Sequence, residues 1–116
     1  MEKKNVIKEK SFEFAKEIVY LYKVLAEKRE YVLSKQLLRS GTSIGANIRE
    51  AEHAQSKADF IHKLSISLKE ANDTEYWLDL LFETRYLTIE EFQNVKNKNT
   101  EILKILTSII NTSKKQ

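Results

Sequence analysis

Two carboxylate–histidine pairs come closest to chemistry in this 116-residue chain. Glu50-x-x-His53 and Asp59-x-x-His62 each place a carboxylate and an imidazole three residues apart, which on a helix is one face. Helical bundles present iron and manganese ligands with this spacing, supplemented by a glutamate from each of two further helices. An antiparallel hairpin between the two pairs would bring all four groups to one end of a bundle. The metal pattern, however, needs its ligands on the apolar side of each helix. His53 projects away from the apolar stripe of its segment, and Asp59 and His62 flank Phe60 and Leu64 instead of replacing them. Histidines beside a solvated turn are ordinary surface residues, so the expectation is that the chain holds no metal and no cofactor.

Other catalytic patterns are weaker. Arg49-x-x-x-His53 is one residue shorter than the arginine–histidine spacing of helical-bundle ribonucleases. Glu70 and Glu75 resemble an acid–base pair only on paper, because five residues on a helix turn them about 140° apart. There is no glycine-rich phosphate loop, and the absence of cysteine removes thiolate chemistry and disulfides. Tyr76 and Trp77 read as packing or interface residues, since Asp73, Asp79 and Glu83 surround them and a base-stacking surface needs cations. A non-enzymatic protein with no catalytic residues is expected, with a metal-binding bundle enzyme or a pure protein–protein adaptor as the alternatives.

The net charge is +3 and unevenly spread. Lys57 to Val95 carries a balance of −4, whereas residues 1–50 and the stretch from Lys96 onward each carry +4. A basic patch built from the two ends would attract RNA, DNA or a nucleic-acid-binding protein; a lysine-rich solvated surface is the plainer reading. No run approaches the roughly 18 apolar residues of a membrane span, and Met1-Glu2-Lys3-Lys4-Asn5-Val6-Ile7 lacks the pattern of a signal peptide. A cytoplasmic protein without membrane contact fits best.

The elements that would position these residues are four amphipathic segments within one domain, residues 1–116. The first, about Lys4 to Lys28, has a stripe of Ile7, Phe14, Ile18, Leu21 and Leu25, with Ser11 in register and Phe12, Val19 and Tyr22 widening it. The second, about Tyr31 to Gln55, carries Leu33, Leu37, Ile44, Ile48 and Ala51. The third, Lys57 to about Thr84, carries Phe60, Leu64, Ser67, Ala71, Thr74, Leu78 and Leu81, with Ser56 as its cap. The fourth follows the capping box Thr88-Ile89-Glu90-Glu91 and carries Phe92, Val95, Asn99, Ile102, Leu106 and Ile109. The connections are short and force antiparallel neighbours, which predicts an all-α, up-down-up-down four-helix bundle.

Both glycines fall in one place, Gly41 and Gly45, in a chain with no proline. An interior glycine costs a helix about 1 kcal/mol relative to alanine, so the chain either turns there or admits another backbone. Leu33, Leu37, Ser40, Ile44, Ile48 and Ala51 keep one unbroken register through the segment, which favours a continuous helix. Arg39, Ser43, Ala46, Asn47 and Glu50 then form a polar stripe beside the apolar one, with Gly41 and Gly45 as a bare close-packing surface on the opposite flank. Arg39 and Glu50 are about 16 Å apart along the helix and cannot pair with each other. The stripe is met either by water or by the same kind of stripe on another subunit.

At these residues the chain resembles the bacterial four-helix bundle protein family, also called 23S rRNA intervening-sequence proteins. The resemblance lies in Arg39, Ser43-Ile44, Asn47-Ile48-x-Glu50, Ser56-x-x-Asp59-Phe60-Ile61, Leu64 and Glu70-Ala71-x-x-Thr74-Glu75-Tyr76-Trp77-Leu78. It spans about Ser11 to Leu106, and the Asn-Ile-x-Glu element is its more specific part. It implies a left-handed bundle with a continuous second helix, and a homopentamer of bundles around a central channel. Arg39, Ser43, Asn47, Glu50 and Glu75 match the family's polar positions, whereas Ala51 stands where many members have glycine. The family has no established enzymatic activity, and some members are encoded inside ribosomal RNA genes. A related pentamer, the accessory variability determinant of diversity-generating retroelements, is thought to bind nucleic acid and a reverse transcriptase. What the resemblance implies for partners is therefore self-association and contact with nucleic acid or a nucleic-acid enzyme.

Overall fold

Side-chain caps decide where three of the four helices begin. In the computed structural model, which describes residues 2–116 and side chains from Asn5 onward, the chain forms α1 (Glu2–Glu27), α2 (Leu33–Ala51), α3 (Lys57–Glu83) and α4 (Ile89–Lys115). Met1 and the side chains of Lys3 and Lys4, which enter the N-terminal basic balance, lie outside the described residues. α4 opens on the expected capping box: the Thr88 hydroxyl accepts from the Glu91 N–H at 3.1 Å, and the Glu91 carboxylate accepts from the Thr88 N–H at 2.8 Å. Ser56 caps α3 by accepting from the Asp59 N–H at 3.0 Å.

α2 is shorter than the hydrophobic pattern predicts, at both ends. At its start Glu30, only 8% exposed, folds its carboxylate over the helix. One oxygen accepts from the N–H groups of Val32 at 3.2 Å and Leu33 at 3.0 Å, and the other from Ser34 at 2.6 Å. The Ser34 hydroxyl donates back to the Glu30 carbonyl at 2.7 Å. Burial raises the pKa of this carboxyl, but the backbone N–H groups of Leu33, Ser34 and Val32 outweigh it and hold Glu30 below the ordinary glutamate range. After Ala51 the chain tightens, with Glu52, His53 and Ala54 each donating to the carbonyl three residues back.

Arg29 (φ 64°) and Arg85 (φ 70°) end α1 and α3 in the left-handed region. The bonds around them are those of Schellman motifs: Glu30 N–H to Leu25 O and Arg29 N–H to Ala26 O, then Tyr86 N–H to Leu81 O and Arg85 N–H to Phe82 O. Arginine thus takes the position that usually falls to glycine, while both glycines sit inside α2.

Each helix packs on its sequence neighbour and α1 also packs on α4, with no close backbone approach across either diagonal among the described residues. The result is an up-down-up-down bundle measuring 47 × 21 × 19 Å. Its core is built from the predicted stripes, with Phe14, Ile18, Leu25, Leu37, Ile44, Leu78, Leu81, Ile102 and Leu106 at most 2% exposed. Burial of each such side chain stabilises by roughly 1.5–3 kcal/mol. Phe12, expected to widen the α1 stripe, is instead 51% exposed.

The helix through Gly41 and Gly45 is continuous, and neither glycine has a positive φ. The backbone that comes close is α1 of the same chain. A Cβ built on Gly41 would lie 2.8 and 2.9 Å from the two γ carbons of Ile18, and one on Gly45 would lie 3.3 Å from the Ser11 carbonyl oxygen. On its other side α2 is tied to α3 by buried polar contacts. The Thr74 hydroxyl lies 2.9 Å from the Ser40 hydroxyl, and the Ser67 hydroxyl donates to the Ile44 carbonyl at 2.8 Å. Asn99 of α4 donates to the Ala71 carbonyl of α3 at 2.9 Å, and its own Oδ1 is buried without a protein partner.

Candidate functional site

The α2–α3 turn does not gather the carboxylate–histidine pairs into a ligand set. Glu50 is engaged by Lys63 at 3.1 Å, and Asp59 accepts from the Gln55 N–H at 3.4 Å while serving the α3 cap. His53 and His62 are both exposed. Among the described residues no group of three or more histidine, aspartate or glutamate side chains could hold a metal ion. Arg49, paired with His53 in the ribonuclease-like spacing, instead lies with its guanidinium 5.8 Å from the centre of the Phe12 ring. Nearby, an open cleft of about 550 Å³ has an apolar floor that includes Ile7, Ile48, Phe60 and Ile109. Among the described residues that line it, Glu52 and Lys57 carry charged side chains.

The polar stripe of α2 has partners inside its own chain, two supplied by α3 and two by the α2 backbone. Arg39 reaches Glu70 at 3.3 Å; the arginine side chain is 56% exposed and the glutamate 11%. The Ser43 hydroxyl donates to the Arg39 carbonyl at 2.6 Å, and the Asn47 amide donates to the Ser43 carbonyl at 2.8 Å. Glu50 takes Lys63. The Arg39–Glu70 and Glu50–Lys63 pairs, with Ser40–Thr74 and Ile44–Ser67, fix the register of the α2–α3 pair. Glu75 does not belong to this group. It faces α4, where Lys96 lies 3.7 Å from Glu75 and 2.9 Å from Asp79. The hydrogen bond to Asp79, opposed by partial burial and aided by the charges of Asp79 and Glu75, raises the Lys96 pKa above the ordinary lysine value.

As its spacing from Glu75 suggests, Glu70 is an ion-pair residue and not half of an acid–base pair, but spacing does not name its partner. It anchors Arg39 with one oxygen while its Oε1 is buried with no partner in the chain. Its role depends on which residue of α2 lies opposite, and that is set only once the two helices pack. One turn beyond Thr74, Trp77 is half-buried against the core and Tyr76 is 60% exposed, the rings meeting edge to face with centroids 5.0 Å apart. α3 thus carries an open aromatic ring, while Ser43 and Asn47 of α2 each donate to a backbone carbonyl of their own helix.

Known proteins share this fold. A family model described as 23S rRNA-intervening sequence protein matches residues 3–108. Among solved structures, the chain is similar to a protein with unknown function from the S23 ribosomal protein family of Bacteroides thetaiotaomicron. The two share 64% identity over 94% of this chain and 98% of that one, with a TM-score of 0.93. No curated protein matches. Among the described residues no helix is long and apolar enough to cross a membrane.

Proposed function

The chain belongs to the 23S rRNA-intervening sequence protein family, and from that premise we propose that it is a non-enzymatic, cytoplasmic homo-oligomer that associates with nucleic acid or a nucleic-acid enzyme. The observation that carries the assembly is exposed Tyr76 beside half-buried Trp77 on α3, a large apolar ring left open to a neighbour. The five-fold ring implied by the family resemblance would bring Arg39, Ser43, Asn47 and Glu50 of each copy to a subunit boundary. Arg39 and Glu50 keep much of their side chains open, which leaves charge available across that boundary. Glu75, the fifth polar position that the resemblance gives, meets Lys96 of α4 and keeps about a third of its side chain open.

Sedimentation velocity at micromolar concentration tests the assembly. The expected particle is a discrete multiple of 13.6 kDa, with five copies the expected number. A lone 13.6 kDa species would remove the proposal. Nucleic-acid association is tested on the same sample by binding at increasing salt, because phosphate contacts weaken steeply as salt rises. Metal analysis of the purified protein separates this reading from a metalloenzyme: an equivalent of iron or manganese that disappears in His53→Ala/His62→Ala would replace it.

A further inference from the structure

α1 presents to solvent a row of side chains that takes no part in the core. Phe12, Lys16, Tyr20 and Lys23 follow one another at spacings of four, four and three residues, so they share one outer face of the helix. Both rings are open, Phe12 51% and Tyr20 69% exposed. Cations flank each of them. Lys16 Nζ lies 5.6 Å and the Arg49 guanidinium of α2 5.8 Å from the Phe12 centroid, and Lys23 Nζ lies 5.9 Å from the Tyr20 centroid. The two rings are two turns apart, about 12 Å along the helix. Sequence spacing around Trp77 gave no such alternation of ring and cation; it arises on α1, with α2 supplying the arginine.

We infer that this row is a contact surface for single-stranded nucleic acid, with the two rings stacking on unpaired bases and Lys16, Lys23 and Arg49 meeting the phosphates. The inference rests on the nucleic-acid reading above and gives it a location. Every base has a face on which an aromatic ring can stack, and a cation beside each ring supplies the backbone attraction that such binding needs. A duplex keeps those faces within its own stack. A protein partner of ordinary interface chemistry would meet a charged side chain between the rings, whereas such interfaces deplete lysine from their centres. Glu13 limits the affinity: it holds Lys16 at 2.9 Å, and a phosphate must compete with it.

Fluorescence anisotropy with labelled oligouridylate, oligothymidylate and a duplex of equal length, titrated with the full chain, tests the assignment. Both single strands should bind more tightly than the duplex, and affinity should fall steeply between about 50 and 200 mM salt. Phe12→Ala/Tyr20→Ala, with helicity and assembly mass unchanged, should weaken single-strand binding by roughly ten-fold or more. Glu13→Gln should tighten it. Single-strand binding that Phe12→Ala/Tyr20→Ala leaves intact overturns this surface while sparing the nucleic-acid reading; no binding by the wild-type chain overturns both. Equal affinity for the duplex, or a loss of assembly mass in Phe12→Ala/Tyr20→Ala, also overturns it, the latter by assigning the row to contact between copies.

Discussion

Replacing Gly41 by alanine should destabilise the protein, although the same change in an exposed helix would strengthen it. The helix-propensity gain is about 1 kcal/mol. Against it, the new methyl would stand 2.8 and 2.9 Å from the γ carbons of Ile18. Those atoms branch directly from the Ile18 Cβ, and Ile18 is fully buried, so the side chain cannot swing aside and α1 must move. Overpacking of this kind costs roughly 1–3 kcal/mol, with larger values where the backbone is pinned. The net loss should be about 0.5–2 kcal/mol, read by urea denaturation followed by circular dichroism. A double-mutant cycle isolates the cause. Ile18→Ala alone should cost about 2–5 kcal/mol, and in that background Gly41→Ala should become stabilising by about 1 kcal/mol as the propensity term is freed from the clash. Gly45→Ala, with a milder 3.3 Å approach to the Ser11 carbonyl oxygen, should be closer to neutral. If Gly41→Ala raises stability in the otherwise unaltered chain, the close approach of α1 is not what the glycine is for.

Other expectations concern the helix ends and the flank. Arg29→Gly and Arg85→Gly should each stabilise by roughly 0.5–1 kcal/mol, because a left-handed non-glycine residue costs on the order of 1–2 kcal/mol and glycine recovers part of it; equilibrium unfolding checks this, and a loss of stability in both would contradict the cap assignment. Glu30→Ala should cost about 1–2 kcal/mol at neutral pH by uncapping α2. Because the folded-state pKa of Glu30 is lowered, its contribution is present above the unfolded glutamate value of about 4.3 and is lost as pH falls through the folded one. The stability gap between wild type and Glu30→Ala should therefore narrow in acid, and a gap that stays constant below that range would argue against a charged cap. Tyr76→Glu should lower the mass of the assembly without lowering helicity, as measured by sedimentation and circular dichroism; an unchanged mass would move the interface elsewhere.

The core was legible because its signal is local and periodic. The α1 stripe from Ile7 to Leu25 and the α4 stripe from Val95 to Ile109 recur every three or four residues and are buried as read. Thr88–Glu91 and Ser56 were legible because capping acts over three residues. What escaped depended on residues far apart in the chain. Arg39 finds Glu70, and Glu75 parts from the α2 stripe, only through the register of packed helices. Phe12 lies beside the α1 stripe in sequence, but in the fold it has Arg49 for a neighbour rather than the core. Glu30 caps α2 from the residue preceding Tyr31, a geometry that the usual serine, threonine or aspartate signal does not announce.

The left-handed arginines also mark where copies of the chain would exchange parts if the bundle opened. Neither of these two hairpin turns contains glycine or proline, so each left-handed bend is held by its caps and by packing on both sides at the cost of a strained arginine. A turn of this kind is a hinge under strain. Straightening it at Arg29 or Arg85 relieves the residue and joins two helices into one rod, whose far half can then complete the bundle of a neighbouring chain. Such swapping uses the same core contacts as the closed form, so concentration alone shifts the balance toward it. Glycine at the two hinges would favour the closed bundle.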